Sequence, residues 1–167
     1  MAFWRQRRML EAGARAPEFQ LQNLDGASQS LSGLLARGPV LLAFFKVECP
    51  VCQYTFPFLE RIHQGAGGQQ GGVQILGVSQ DKAGATREFG REFGVSFPIL
   101  LDDAAGGYHV SNAFGIDTVP SLFLLEPDGS VSLSGAGFSK ADLEALGRRA
   151  GAAPFRPEEP VPEMRPG

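Results

Sequence analysis

The sequence predicts an α/β fold: a central mixed β-sheet flanked by helices, with an N-terminal β-hairpin extension. Three observations carry this reading. Apolar runs of strand length alternate with amphipathic runs of helix length. The chain closes with a hairpin signal and then a helix, which adds antiparallel strands to an otherwise parallel pattern. The two cysteines of the chain, Cys49 and Cys52, stand together where one apolar run meets an amphipathic one. With 167 residues, 43% of them hydrophobic and 20% charged, the chain can bury the core of one domain.

Taken in order, residues 1–15 read as an arm or a short helix. Phe19-Gln20-Leu21 alternates into a turn at Asn23-Leu24-Asp25-Gly26 and returns through Gln29-Ser30-Leu31, a small hairpin. Ser32 is placed to cap a short helix over residues 33–36, and Gly38-Pro39 ends it. Val40 to Phe45 is apolar without a break, the mark of a strand buried on both faces. A helix over residues 50–64 follows, with Pro57 inside it and a kink expected there. Residues 65–72 read as a flexible loop.

A second buried strand covers residues 73–78. Residues 86–93 read as a helix, with Phe89 and Phe93 one turn apart on one face. Residues 97–101 form a third short strand, and Asp102-Asp103 opens a turn and a helix near 108–114. Ser121 to Leu125 is a strand, Pro127-Asp128-Gly129 a tight turn, and residues 131–133 complete the hairpin. Ser139 caps the last helix, residues 140–149. Residues 154–167 contain five prolines with Glu158, Glu159 and Glu163. That composition offers little apolar surface against the entropy of ordering. The expected division is an arm (1–15), a globular domain (16–150) and a flexible Pro-rich tail (151–167).

Cys49-Pro50-Val51-Cys52 carries the chemistry. A C-x-x-C pair beside a β-α pattern reads first as a redox dithiol. Two thiols at that spacing can close a disulfide, and free N–H groups at a helix start favour a thiolate. Half a zinc site is the main rival. Zinc needs four ligands, or three and a water, and His63 and His109 lie in separate segments. A purely structural disulfide would close too short a loop to gain much. No metal is expected, and no cofactor beyond the redox-active disulfide itself.

The net charge of −3 and the lack of a basic stripe give no reason to invoke nucleic acid. Arg5, Arg7 and Arg8 resemble the basic start of a signal peptide, but Glu11 to Arg15 supply no apolar stretch after them. No window approaches the roughly 18 apolar residues of a spanning helix. As the sequence reads, a cytoplasmic protein without a membrane segment is expected. A longer natural N-terminus carrying a leader would make it periplasmic.

Over residues 16–147 the chain resembles the thioredoxin-fold proteins of the TlpA/ResA-like branch, within the redoxin and peroxiredoxin-like (AhpC/TSA) superfamily. Ala16-Pro17-Glu18-Phe19-Gln20-Leu21 is similar to that family's opening strand, and residues 42–52 to its active-site strand and loop. Pro57 stands where the family kinks its first long helix. Thr118-Val119-Pro120 resembles the segment that carries its cis-proline. The resemblance implies a thioredoxin-like fold and thiol–disulfide oxidoreductase activity on protein disulfide or dithiol partners or on small thiols. Cys49, nearer the helix start, is expected to be the more exposed thiol and to attack, with Cys52 behind it resolving the mixed disulfide. Val119 and Pro120 would pair with an extended substrate.

The chain departs from the family at informative places. Glu48 replaces the usual Trp and Ala43 stands where thioredoxin keeps a buried Asp; where some of the family place an active-site Glu just after the second core strand, the matching stretch Gln80-Asp81-Lys82 offers only the Asp81 carboxylate. Lys46, Glu48 and Asp81 are therefore the candidates for tuning the thiols. An anion such as Glu48 next to a thiol opposes its ionisation. The enzymatic alternative is a thiol peroxidase of the peroxiredoxin type. It would place Cys52 in the peroxidatic position, with Phe45 and Cys49 where that family keeps Pro and Thr. The non-enzymatic alternative is a metal- or haem-pathway module using the thiols as soft ligands.

Overall fold

A computed structural model describes residues 8–66 and 72–167. The unbroken apolar run becomes β3 (Val40–Phe45), whose six residues are all buried. Adjacent side chains of a strand point to opposite faces, so β3 needs cover on both. It receives parallel pairing from β4 (Gln74–Ser79) and antiparallel pairing from β6 (Ser121–Leu125). β5 (Ile99–Leu101) extends the sheet parallel to β4. The hairpin of β1 (Gln20–Asn23) and β2 (Ser28–Ser30) joins antiparallel beyond β5, and β7 (Val131–Ala136) closes the other edge beside β6. The order across the seven strands is β2-β1-β5-β4-β3-β6-β7. The mixed sheet and the N-terminal hairpin extension are as expected.

Two apolar layers cover the sheet. On one face Leu41, Ala43 and Phe45 pack against α2 (Pro50–Ala66), α3 (Ala83–Glu92) and α5 (Lys140–Ala150), through Phe56, Leu59, Phe89, Leu143 and Leu146. On the other, Val40, Leu42 and Phe44 meet α1 (Leu31–Leu35) and α4 (His109–Ala113), with Val110 and Phe114 at the centre. Phe45 and Phe56 meet at a tilt, 4.4 Å between ring centroids, and Phe89 closes on Phe45 at 4.8 Å. This aromatic cluster fixes β3 to the first half of α2, so the junction between them is rigidly placed. No helix among the described residues is long and apolar enough to cross a membrane.

Several boundaries differ from expectation. The first short helix is capped by Ser30, whose hydroxyl accepts the Gly33 N–H at 3.0 Å. Ser32 lies inside it, because burying Leu31 starts the helix earlier. The loop expected over 65–72 falls mostly on residues outside those described, and Gly65 and Ala66 are the last residues of α2. Within the expected arm, residues 1–7 lie outside the described part. Met9, Leu10 and Ala14 pack on the second core layer, and the Leu10 N–H donates to the Phe114 carbonyl at 3.1 Å.

Residues 151–167, expected as a flexible tail, lie against the body. Phe155 packs edge-on to Phe58 at 4.9 Å, and Val161 joins the same apolar layer. Arg61 holds Glu159 through two hydrogen bonds, 2.6 and 2.9 Å. A two-residue strand, β9 (Met164–Arg165), pairs antiparallel with β8 (Phe138–Ser139). The proline and glutamate content concealed two apolar anchors and one matched ion pair. A segment needs few such contacts when proline has already removed much of its freedom.

Candidate active site

The end of β3 and the start of α2 set the geometry. After Phe45 the chain turns through Lys46-Val47-Glu48, and the Cys49 N–H donates to the Lys46 carbonyl at 3.2 Å. Two side chains hold this turn. Gln53, one turn into α2, donates from Nε2 to the Val47 carbonyl at 2.9 Å. Asp81, just beyond β4, accepts the Val47 N–H at 2.8 Å. Both polar groups of the Val47 backbone are thus tied to neighbouring elements, and the cysteine beyond them starts from a fixed point.

Cys49 is half-buried at the N-terminal end of α2, and Cys52 is fully buried one turn on. Both thiols are free. The Cys52 N–H donates to Cys49 Sγ at 3.2 Å, one of the unpaired N–H groups that every helix start offers. Cys49 Sγ in turn donates to the Val119 carbonyl at 3.5 Å. The Val119–Pro120 peptide is cis, as the sequence led one to expect. So the structure brings Cys49, Cys52, Val119 and Pro120 into one site from two distant stretches of sequence.

The two sulfurs differ in environment. Burial pushes the Cys52 thiol well above its ordinary range, and its hydrogen bond with Cys49 adds to this. A backbone hydrogen bond from Lys46 opposes the rise, and the nearby charge of Asp81 reinforces it. Cys52 is therefore a protonated, sheltered thiol at neutral pH, while Cys49 carries the accessible sulfur of the pair.

The three tuning candidates take different places. Asp81 acts on the site both by its hydrogen bond to Val47 and by its charge near Cys52. Lys46 acts through its backbone, and its side chain is exposed. The Glu48 side chain is exposed as well. Ala43, in the slot where thioredoxin keeps a carboxylate, is buried in the apolar layer.

A cavity of about 300 Å³ opens beside Val119, lined by Lys46, Gln80, Tyr108, Ser111 and Thr118 among others. Beneath it runs a polar chain the sequence did not reveal. Gln80 Nε2 donates to Ser111 Oγ at 3.0 Å, and the Ser111 hydroxyl donates to Asp102 at 2.6 Å. The buried Asp102 carboxylate also accepts the Val110 and Ser111 N–H groups at 3.2 and 2.6 Å, which caps α4. In sequence Asp102-Asp103 looks like a turn. The signal that separates the roles is the Ser nine residues on, and it has meaning only once the turn is folded. In sequence Gln53 is only one of the polar residues of the helix that follows the cysteines.

His63 packs edge-on to Phe97, and His109 contacts the Gly106 carbonyl. Among the described residues, no group of three or more His, Cys, Asp and Glu side chains comes together.

Comparison with known proteins fits this geometry. The AhpC/TSA family model matches residues 12–134. A thiol-disulfide oxidoreductase ResA from Halalkalibacterium halodurans is 33% identical over 130 residues, 77% of this chain and 70% of that one. The protein of the same name from Geobacillus kaustophilus is 30% identical over 144 residues, 85% of this chain and 79% of that one. The crystal structure of the thioredoxin domain of a Bacteroides vulgatus thiol-disulfide oxidoreductase superposes with a TM-score of 0.72 at 24% identity. It covers 83% of this chain and 96% of that one, and it shows the fold. The chain belongs to the AhpC/TSA family, among its thioredoxin-fold, ResA-like thiol-disulfide oxidoreductases.

Proposed function

We propose that this protein exchanges disulfides through Cys49 as nucleophile and Cys52 as resolving thiol, with extended polypeptide or small-thiol partners docking beside Val119 and Pro120. The observation that carries this is the asymmetry of the pair. Cys49 Sγ is accessible and takes an N–H from the helix start, whereas Cys52 is sealed beneath it and held protonated.

Acting as a reductant, the Cys49 thiolate attacks one sulfur of a partner disulfide. A Cys49–partner bond forms as the partner's S–S bond breaks, and the other partner sulfur leaves as thiolate. Cys52 then loses its proton and attacks Cys49 Sγ, releasing the second partner thiol. Two electrons and two protons pass to the partner, and a Cys49–Cys52 disulfide remains. Run in reverse, the same steps oxidise a dithiol. The reduction potential of the pair selects the direction, and the chemistry works in either redox compartment.

Asp81 is the tuning residue this geometry favours, because its charge acts on Cys52 and its hydrogen bond holds the turn before Cys49. The peroxidase alternative asks Cys52 to meet peroxide as an accessible thiolate, and the burial of that thiol opposes it. The exchange reading needs no group beyond the two sulfurs.

The test is a pair of substitutions. Cys52→Ser should accumulate a mixed disulfide between Cys49 and an oxidised protein substrate, seen as a reducible adduct by mass spectrometry. Cys49→Ser should form none and reduce no insulin. An adduct that forms only in the Cys49→Ser protein would reverse the roles and favour the peroxidase alternative.

A further inference from the structure

The C-terminal segment does more than pack on the body. Its first part is anchored by Phe155, Val161 and the Arg61–Glu159 pair. Its last five residues, 163–167, are all exposed, yet they follow a defined path. The Lys140 N–H donates to the Glu163 carbonyl at 2.9 Å, and Ser139 and Phe138 pair with Met164 and Arg165. The Arg165 guanidinium lies over the ring of Tyr54, 4.2 Å from its centroid. Tyr54 is the second residue after Cys52. Gly167 then rests against the Val119 carbonyl and the Thr118 methyl, so closely that a Cβ on it would overlap both. That carbonyl is the one that takes the Cys49 thiol.

The path is an extended chain added to a short strand edge and reaching the cis-proline loop. An extended peptide adding to such an edge gains main-chain hydrogen bonds and places alternate side chains in contacts. Gly137 makes the approach possible. Its φ of +75° suits glycine, and any Cβ there would strike the Arg165 carbonyl and the residues after it.

We propose that the surface formed by the β8 edge, Tyr54 and Val119 docks an extended polypeptide segment of the disulfide partner, and that residues 163–167 are its resident occupant. This rests on the reading of Cys49 as the exchanging thiol. A protein partner must displace the tip of the strap, while its anchor at 155–161 keeps it close enough to return. When the docking surface is open only part of the time, apparent affinity falls by that fraction. A small disulfide reaches Cys49 without using the edge. The strap therefore discriminates by partner size and shape.

The experiment compares the full chain with two variants, deletion of residues 163–167 and Arg165→Ala, all reduced and reacted with insulin and with dithiobis(nitrobenzoate). Deletion should raise the insulin rate at least about fivefold, with the small-disulfide rate changed less than about twofold. Arg165→Ala, which removes one cation–π contact, should raise the insulin rate about two- to fivefold. The free peptide of residues 161–167 should inhibit insulin reduction by the deletion variant. If both variants melt like the parent and the insulin rate stays flat or falls, the strap is only structural and the proposal is wrong. A misfolded deletion variant leaves Arg165→Ala as the deciding measurement. If the parent reacts with neither disulfide, the exchange function itself has failed, a different result from a strap without effect.

Discussion

Replacing Cys52 with alanine should flatten the dependence of stability on alkaline pH. In the reduced protein the Cys52 thiol is fully buried, and burial pushes it far above the ordinary thiol range. In the unfolded chain it ionises near pH 8.5. A group whose folded value is raised contributes stability that is complete below the unfolded value and is lost as pH rises toward the folded one. Between those limits the unfolded state sheds a proton that the folded state keeps, so each pH unit above about 8.5 costs up to about 1.4 kcal/mol. From pH 8.5 to pH 10 the reduced wild-type protein should therefore lose up to about 2 kcal/mol that Cys52→Ala does not lose. Urea unfolding followed by far-ultraviolet circular dichroism, at half-unit steps with a phosphine reductant, measures both curves. The alanine variant starts lower because a buried side chain is truncated, so the comparison is of slopes. Parallel curves would mean that Cys52 ionises as readily in the fold as out of it, and the assignment of a sheltered resolving thiol would fall.

Three further outcomes follow from the same structure. Asp81→Ala removes both a charge near Cys52 and the acceptor of the Val47 N–H. The pH profile for resolving the mixed disulfide should move to lower pH, and an unmoved profile would remove Asp81 from any tuning role. Phe56→Ala opens the aromatic cluster that joins β3 to α2, and should cost about 3–5 kcal/mol by urea titration. A loss below about 1 kcal/mol would show that the cluster does not set the junction. Asp102→Ala orphans the Val110 and Ser111 N–H groups, at about 1–3 kcal/mol for each buried donor left unpaired. Faster amide exchange should then be confined to α4 and the loop before it, and unchanged protection there would refute the capping role.

Much of the site was legible because its signals are local. Val40 to Phe45, short and apolar throughout, reads as a strand buried on both faces, and the Cys49–Cys52 spacing at its end needs nothing from the rest of the chain to be read as a dithiol. The cap at Ser139 was correctly placed, since a hydroxyl that accepts the Asp142 N–H three residues on is a short-range device. The cap expected at Ser32 falls at Ser30, because burying Leu31 in the core starts the helix two residues earlier than its local sequence suggests. Val119-Pro120 was recognised through resemblance to a family, and its place beside Cys49 is a contact across 70 residues of sequence.

The sequence by itself determined the α/β class, the strand-turn-helix that presents the cysteines, and the chemistry two thiols at that spacing can perform. All of these depend on periodicity and on neighbours within a few residues. Only the tertiary structure decided how completely each thiol is sheltered, because burial is a property of the assembled layers: Cys52, on the inward side of α2, is fully buried in the layer that holds Leu41, Phe45 and Phe56, while Cys49 at the helix start is only half-buried. It also decided that Asp102 is a buried cap, that Gln53 and Asp81 hold one backbone turn from opposite sides, and that a proline-rich end forms a strap. Each of those depends on partners far apart in the chain, and their free energy appears only when folding has already brought them together.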